Sequence, residues 1–93
     1  MIVTYAQILY AAIPIYTEHG RYTLRTTINH SKGNYTTAER NKKQADRFAC
    51  ELRGIEKIVH AYDPSKDLYA DLAEITKDDP TYMKMLDDEL KNL

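Results

Sequence analysis

Little in this chain is suited to chemistry. Its 93 residues include one cysteine (Cys50), no tryptophan, one phenylalanine, three glycines and three prolines. A single thiol excludes an intramolecular disulfide, so cysteine usage gives no sign of an oxidising compartment. Neither CxxC nor HExxH occurs. The stretch 63–71 lacks the alternating oxygen ligands and central glycine of a calcium loop, and the glycine-bearing loop 31–34 is no phosphate-binding fingerprint. His19, His30 and His60 are the only side chains that titrate near neutrality unaided, and none stands in a nucleophile-type or metal-type motif. No run approaches the ~20 apolar residues of a membrane span. The apolar start, 1–14, has no basic n-region and no small-residue cleavage site, so the expected location is cytoplasmic. These gaps predict a non-enzymatic protein with no cofactor and no metal.

What is present is sorted charge. Residues 21–57 carry nine cations against four anions, and residues 63–91 carry nine anions against four cations, while the net charge is only −1. Such a dipolar chain either steers toward a charged partner or has two halves that neutralise one another. Eight tyrosines are the second bias, and they combine apolar bodies with wet hydroxyls as binding surfaces do. The length predicts a single domain, 1–93, with a core over 1–62 and an acidic helical extension over 63–93.

The local patterns predict an α+β fold. A two-residue loop at His19 and Gly20 predicts a β-hairpin. In that register Ala11, Ile13, Ile15, Tyr22, Leu24 and Ile28 share one face, and Tyr16, Glu18, Arg21, Thr23, Arg25 and Thr27 share the other. Residues 2–9 fit two patterns. Val3, Tyr5, Gln7 and Leu9 alternate as in a strand, whereas Thr4 with Gln7 mimics a capping box and Tyr5, Ile8, Leu9 and Ala12 fit helical spacing; the strand is preferred. A polar loop, 30–34, precedes a helix opened by Thr36 and Glu39, with Ala38, Ala45, Phe48, Ala49 and Leu52 inward and Gly54 as its C′ residue. Cys50, beside Phe48 and Leu52, reads as core. A strand over 55–62 follows. A helix after Asp63 and Pro64 turns Leu68, Leu72 and Ile75 inward, and a last helix after Asp79 and Pro80 carries a stripe of Tyr82, Leu86, Leu90 and Leu93. The expected order is ββαβ with one helix packed on a small antiparallel sheet, then two short helices.

Two surfaces stand out as candidate sites. Tyr16, Arg21 and Arg25 on the outer hairpin face, extended by Arg40, Lys43 and Arg47 on the helix, interleave cations with an aromatic in the manner of nucleic-acid binding. The hairpin-then-helix order over 20–53 resembles, in element order alone, the small sheet-plus-helix DNA-binding domains of tyrosine recombinases, which implies direct contact with nucleic acid. The second surface is acidic: Asp67, Asp71 and Glu74 on one helix, with Asp87 and Asp88 on the next. Carboxylates so spaced imitate phosphates and suit the groove of a basic nucleic-acid-handling protein. Small size and polarised, tyrosine-rich surfaces resemble phage-encoded antagonists of the anti-CRISPR or anti-restriction kind. The expected function is therefore docking on, and modulation or inhibition of, a nucleic-acid-handling complex. Direct nucleic-acid binding and a homo-oligomeric structural role are the alternatives, and no membrane partner is expected.

Overall fold

The computed structural model describes residues 3–93, and the chain is helical throughout: α1 (Tyr5–Ser31), α2 (Tyr35–Tyr62), α3 (Leu68–Thr76) and α4 (Pro80–Leu90). Helix α1 opens on a true capping box. The Thr4 hydroxyl accepts from the Gln7 N–H at 3.2 Å, and the Gln7 side chain accepts from the Thr4 N–H at 2.9 Å. Its threonines are accommodated by back-bonding. Thr17, Thr23, Thr26 and Thr27 each turn the hydroxyl onto the carbonyl four residues earlier, at 2.7 to 3.1 Å. Pro14 lies inside the helix and has no N–H to give the Tyr10 carbonyl. The helix closes where Gly33 takes φ +78°, which lets the Asn34 N–H reach the Asn29 carbonyl at 2.8 Å and reverses the chain.

Helix α2 then returns antiparallel along α1. Its inward stripe, Ala38, Ala45, Leu52 and Val59, recurs every seven residues and is buried throughout. Helices α3 and α4 pack back onto α1, each held at its start by an aspartate: Asp67 accepts from the Ala70 N–H at 3.0 Å, and Asp79 from the Thr81 N–H at 2.9 Å. The core joins Leu9 and Ala12 of α1, Leu52 of α2, and Leu68 and Leu72 of α3. Helix α1 is thus covered on both sides, while the outer side of α2 is bare. The result is a rod of 47 × 25 × 21 Å.

This overturns the α+β expectation, since no strand exists among the described residues. The segment read as a β-hairpin is the middle of α1, and Gly20 makes no turn there. It is small because α4 crosses it: a Cβ at Gly20 would stand 3.3 Å from Met85 Cε. The segment 2–9 is helical from Tyr5, so the capping-box alternative prevails, and Ile2 lies outside the described residues. Gly54 does not end a helix, because α2 runs on to Tyr62 through the segment read as a strand. Helix α3 begins at Leu68 rather than after Pro64, with Leu68 and Leu72 buried as expected. On α4 the buried residues are Met85 and Glu89, whereas Leu90 and Leu93 are exposed. Cys50 faces solvent, not core. The resemblance to sheet-plus-helix DNA-binding domains falls with the sheet.

Candidate functional site

The candidate residues divide into three sets with different surroundings. In the first, Arg21 and Arg25 stand one turn apart on α1 beneath α4, with the Glu89 carboxylate between them. Arg25 Nε donates to both Glu89 oxygens at 3.0 Å and its Nη2 lies 2.9 Å from Oε1, while Arg21 Nη1 is 3.6 Å from the same oxygen. Glu89 is 3% exposed. A carboxylate so deep in the interface is tolerated because these cations and hydrogen bonds replace its water. The Arg25 guanidinium is pushed further up by its bond to Glu89. Arg21 also reaches Glu18 at 3.2 Å, and Tyr16 stacks on Tyr82 with ring centroids 5.7 Å apart. The three residues placed together on a hairpin face therefore all turn to intramolecular partners.

The second set is acidic. Asp67 caps α3, Asp71 accepts from the Tyr5 hydroxyl at 2.5 Å, and Glu74 pairs with Lys77 at 2.7 Å. Burial, together with the Asp71 carboxylate, pushes the Tyr5 phenol up to about 12. The steps of four and three residues keep these carboxylates on one side of α3, and Asp78 follows just past its end. Asp67, Glu74 and Asp78 are exposed, and Asp71 is half-buried. On α4, Asp88 pairs with Lys84 at 2.9 Å and Lys91 at 3.8 Å, and the Lys84 bond holds its carboxyl below the usual range. Asp87 is exposed and forms no ion pair among the described residues.

The third set, Arg40, Lys43 and Arg47, is exposed on the side of α2 opposite the Ala38–Val59 stripe. Of the three, Arg47 alone has an anion within ion-pair reach among the described residues, Glu51 at 4.0 Å. Cys50 shares this outer side, with Arg53 Nη2 3.2 Å from its sulfur. His60, ten residues on, stands about 15 Å further along the axis, where its Nε2 lies 2.8 Å from the Lys66 carbonyl. A Cys50–His60 pair is thus not assembled. Among the described residues no three His, Cys, Asp or Glu side chains gather as around a metal ion, and no helix is long and apolar enough to cross a membrane.

Two features escaped the sequence reading. One is Glu89. Tyr82, Met85 and Glu89 follow each other at three and four residues, so an acid standing on the buried stripe of α4 was the available signal for a cation opposite. The other is an apolar groove of about 640 Å³ at the open end of the helical pair, lined by Val3, Ile8, Ile58 and Tyr62 with Asp63 and Lys66 beside them. Val3, Ile58 and Tyr62 are more than half exposed. No family model, no curated protein and no solved structure matches this chain.

Proposed function

We propose that this protein is a non-catalytic docking module that binds a basic, nucleic-acid-handling protein through the carboxylate row of α3. The observation that carries this reading is the row itself. Asp71 and Glu74 share one side of the nine-residue α3, whose inward residues Leu68 and Leu72 anchor it in the core, and the N-cap Asp67 before it and Asp78 after it prolong the row. Local bonds to Ala70, Tyr5 and Lys77 fix the carboxylates in place, and the 63–91 segment keeps its excess of nine anions over four cations. A fixed row of like charge accelerates encounter with an opposite surface and makes association salt-sensitive.

The test uses neutral replacements that preserve each local bond. Asparagine caps a helix about as well as aspartate, so Asp67→Asn, Asp71→Asn and Glu74→Gln together remove charge while sparing the fold. Partners captured from a lysate of the source cells, treated with nuclease, are identified by mass spectrometry. A basic nucleic-acid-handling protein retained by the native chain and lost by the folded triple variant supports the reading. Equal capture by both overturns it.

A second reading rests on the outer side of α2. Arg40, Lys43 and Arg47 point to solvent with little intramolecular neutralisation, which suits the phosphate backbone of a nucleic acid. Capture abolished by nuclease, together with direct binding to single or double strands at low salt, would favour it over the first.

A further inference from the structure

The open end of the α1–α2 pair sets an apolar groove against an acidic surround. Its walls are Val3, just before α1, Ile8 within it, and Ile58 and Tyr62 at the end of α2. At about 640 Å³ the groove has the size, roughly 300–1,000 Å³, at which proteins hold apolar ligand groups. Val3 and Ile58 are more than half exposed and Tyr62 is 88% exposed. Large apolar side chains gathered in one exposed hollow with a polar rim mark a contact site. The charge around it is one-sided. Asp63 stands at the rim, the Tyr5 phenol on the wall donates to Asp71 at 2.5 Å, and Asp67 lies close enough to act on the same phenol. Among the lining residues the cation is Lys66, whose ammonium is 5.1 Å from the centre of the Tyr5 ring. The chain thus displays in itself the contact this end suits, a cation on an aromatic face beside carboxylates.

We infer, resting on the reading of the α3 row as a docking surface, that the groove and the row are one continuous site for an amphipathic basic segment of the partner. Its large apolar side chains enter the groove, and its cations lie along Asp67, Asp71 and Glu74. Tyr5 carries the continuity, because its ring lines the groove while its hydroxyl bonds to Asp71 in the row. Charge decides the occupant. Asp63, Asp67 and Asp71 against Lys66 disfavour an anionic ligand such as a fatty acid, and an uncharged apolar group would make no use of the carboxylates. A helix is the fitting form for the segment. Grooves of this kind read apolar anchors at steps of three and four residues. Cations one turn further along the same side, about 5 Å away, then reach a row that begins beside the groove and spans about 10 Å of axis from Asp67 to Glu74.

Two synthetic peptides of about sixteen residues, roughly 24 Å long as helices, test this. One carries leucines at steps of three and four followed by arginines, and the other has serine in place of every leucine. In an NMR titration of the native chain at low salt, the backbone amides of Val3, Ile8, Ile58 and Tyr62 should shift with the leucine peptide alone, and those of Asp67, Asp71 and Glu74 with both. The leucine peptide should bind about tenfold more tightly or better. Ile58→Ser with Tyr62→Ser should erase that advantage in a chain that still folds, since both side chains are mostly exposed. Lys66→Gln should tighten binding severalfold, because it removes the cation that competes for the Tyr5 face. Equal affinity of the two peptides, or weaker binding by Lys66→Gln, overturns the inference and leaves the α3 row standing as a docking surface. No shift at Asp67, Asp71 and Glu74 with either peptide defeats the row, and the inference with it. Groove shifts that grow with protein concentration before peptide is added would give the groove to a second copy and overturn the inference as well.

Discussion

Helices α1 and α2 are built alike and live differently. They have 27 and 28 residues, and each carries a glycine in its interior and arginines one or two turns apart. Helix α1 is wrapped by α2 on one side and by α3 and α4 on the other, so Arg21 and Arg25 become partners of a buried carboxylate and Gly20 a seat for Met85. Helix α2 is covered on one side only, so Arg40, Lys43 and Arg47 keep their water and Gly54 faces open space. Residue type does not decide whether a cation belongs to the fold or to a partner. What packs over it does.

The largest effect that would test this contrast lies at Glu89. Glu89→Gln keeps the side chain's shape but removes the anion between Arg21 and Arg25. Breaking a fully buried pair costs ~3–5 kcal/mol, but the arginine side chains here are 29% and 40% exposed and recover some hydration. A loss of about 2–3 kcal/mol in urea denaturation is expected on that reduced scale. Glu39→Gln, on the bare side of α2, should change stability by no more than ~0.5 kcal/mol. Equal effects at the two sites would erase the distinction between the helices.

The glycines should differ in sign. Gly20→Leu must push Met85 and Tyr82 aside, so α4 loosens at a cost of ~1–3 kcal/mol, the usual range for overpacking. Gly54→Ala finds free space and should raise stability by ~0.5–1 kcal/mol through the backbone alone. Thermal melts of both variants settle the comparison. A destabilised Gly54→Ala would mean that α2 is covered there after all.

These positions also show what was legible in the sequence. The inward spacing of Leu52, Leu68 and Leu72, the Asp79–Pro80 helix start and the reversal near Gly33 were readable because local chemistry alone specifies them. Gly20 was misread because a glycine between alternating apolar residues signals a turn as well as it signals a helix crossing, and only α4, more than sixty residues later, decides between them. The threonines of α1 pointed to strand for the same reason: their β-branched shape favours a pleat until the hydroxyl finds a carbonyl one turn back. Of the candidate sites, the cation set on α2 was placed by helical periodicity, while the pairing of Arg21 and Arg25 with Glu89 depends on a contact 64 positions apart for Arg25.

A smaller effect concerns the open end of α1, where Tyr5 links it to α3. An unfolded tyrosine releases its proton near 10, whereas Tyr5 holds it to about 12 in the fold. Below pH 10 both states are protonated and the contribution is complete. Between 10 and 12 the unfolded state alone ionises, so stability falls as pH rises. Tyr5→Phe should lose the Asp71 bond, about 0.5–1.5 kcal/mol at neutral pH, and should flatten part of the alkaline decline. Tyr69 and Tyr82, whose phenols burial also raises, contribute to the remainder, as does Lys77, whose ammonium is raised by its bond to Glu74. An unchanged alkaline slope in Tyr5→Phe would mean that the link to Asp71 is not made in solution.

The smallest change in stability is expected where the charge is greatest in view. Replacing Arg40, Lys43 and Arg47 together by alanine removes three exposed cations and at most one 4.0 Å ion pair, and alanine is the better helix former. Exposed pairs contribute ~0.2–1 kcal/mol, so the gain in propensity and the lost pair nearly cancel, and the melting curve should move little. If the outer side of α2 holds a nucleic-acid backbone, the same variant should lose affinity with little regard to sequence and flatten the salt dependence by roughly one unit per phosphate contact removed. A variant that folds as before and binds as before would leave these cations as solvated surface, whereas one that unfolds would show that α2, like α1, is holding something its bare side does not reveal.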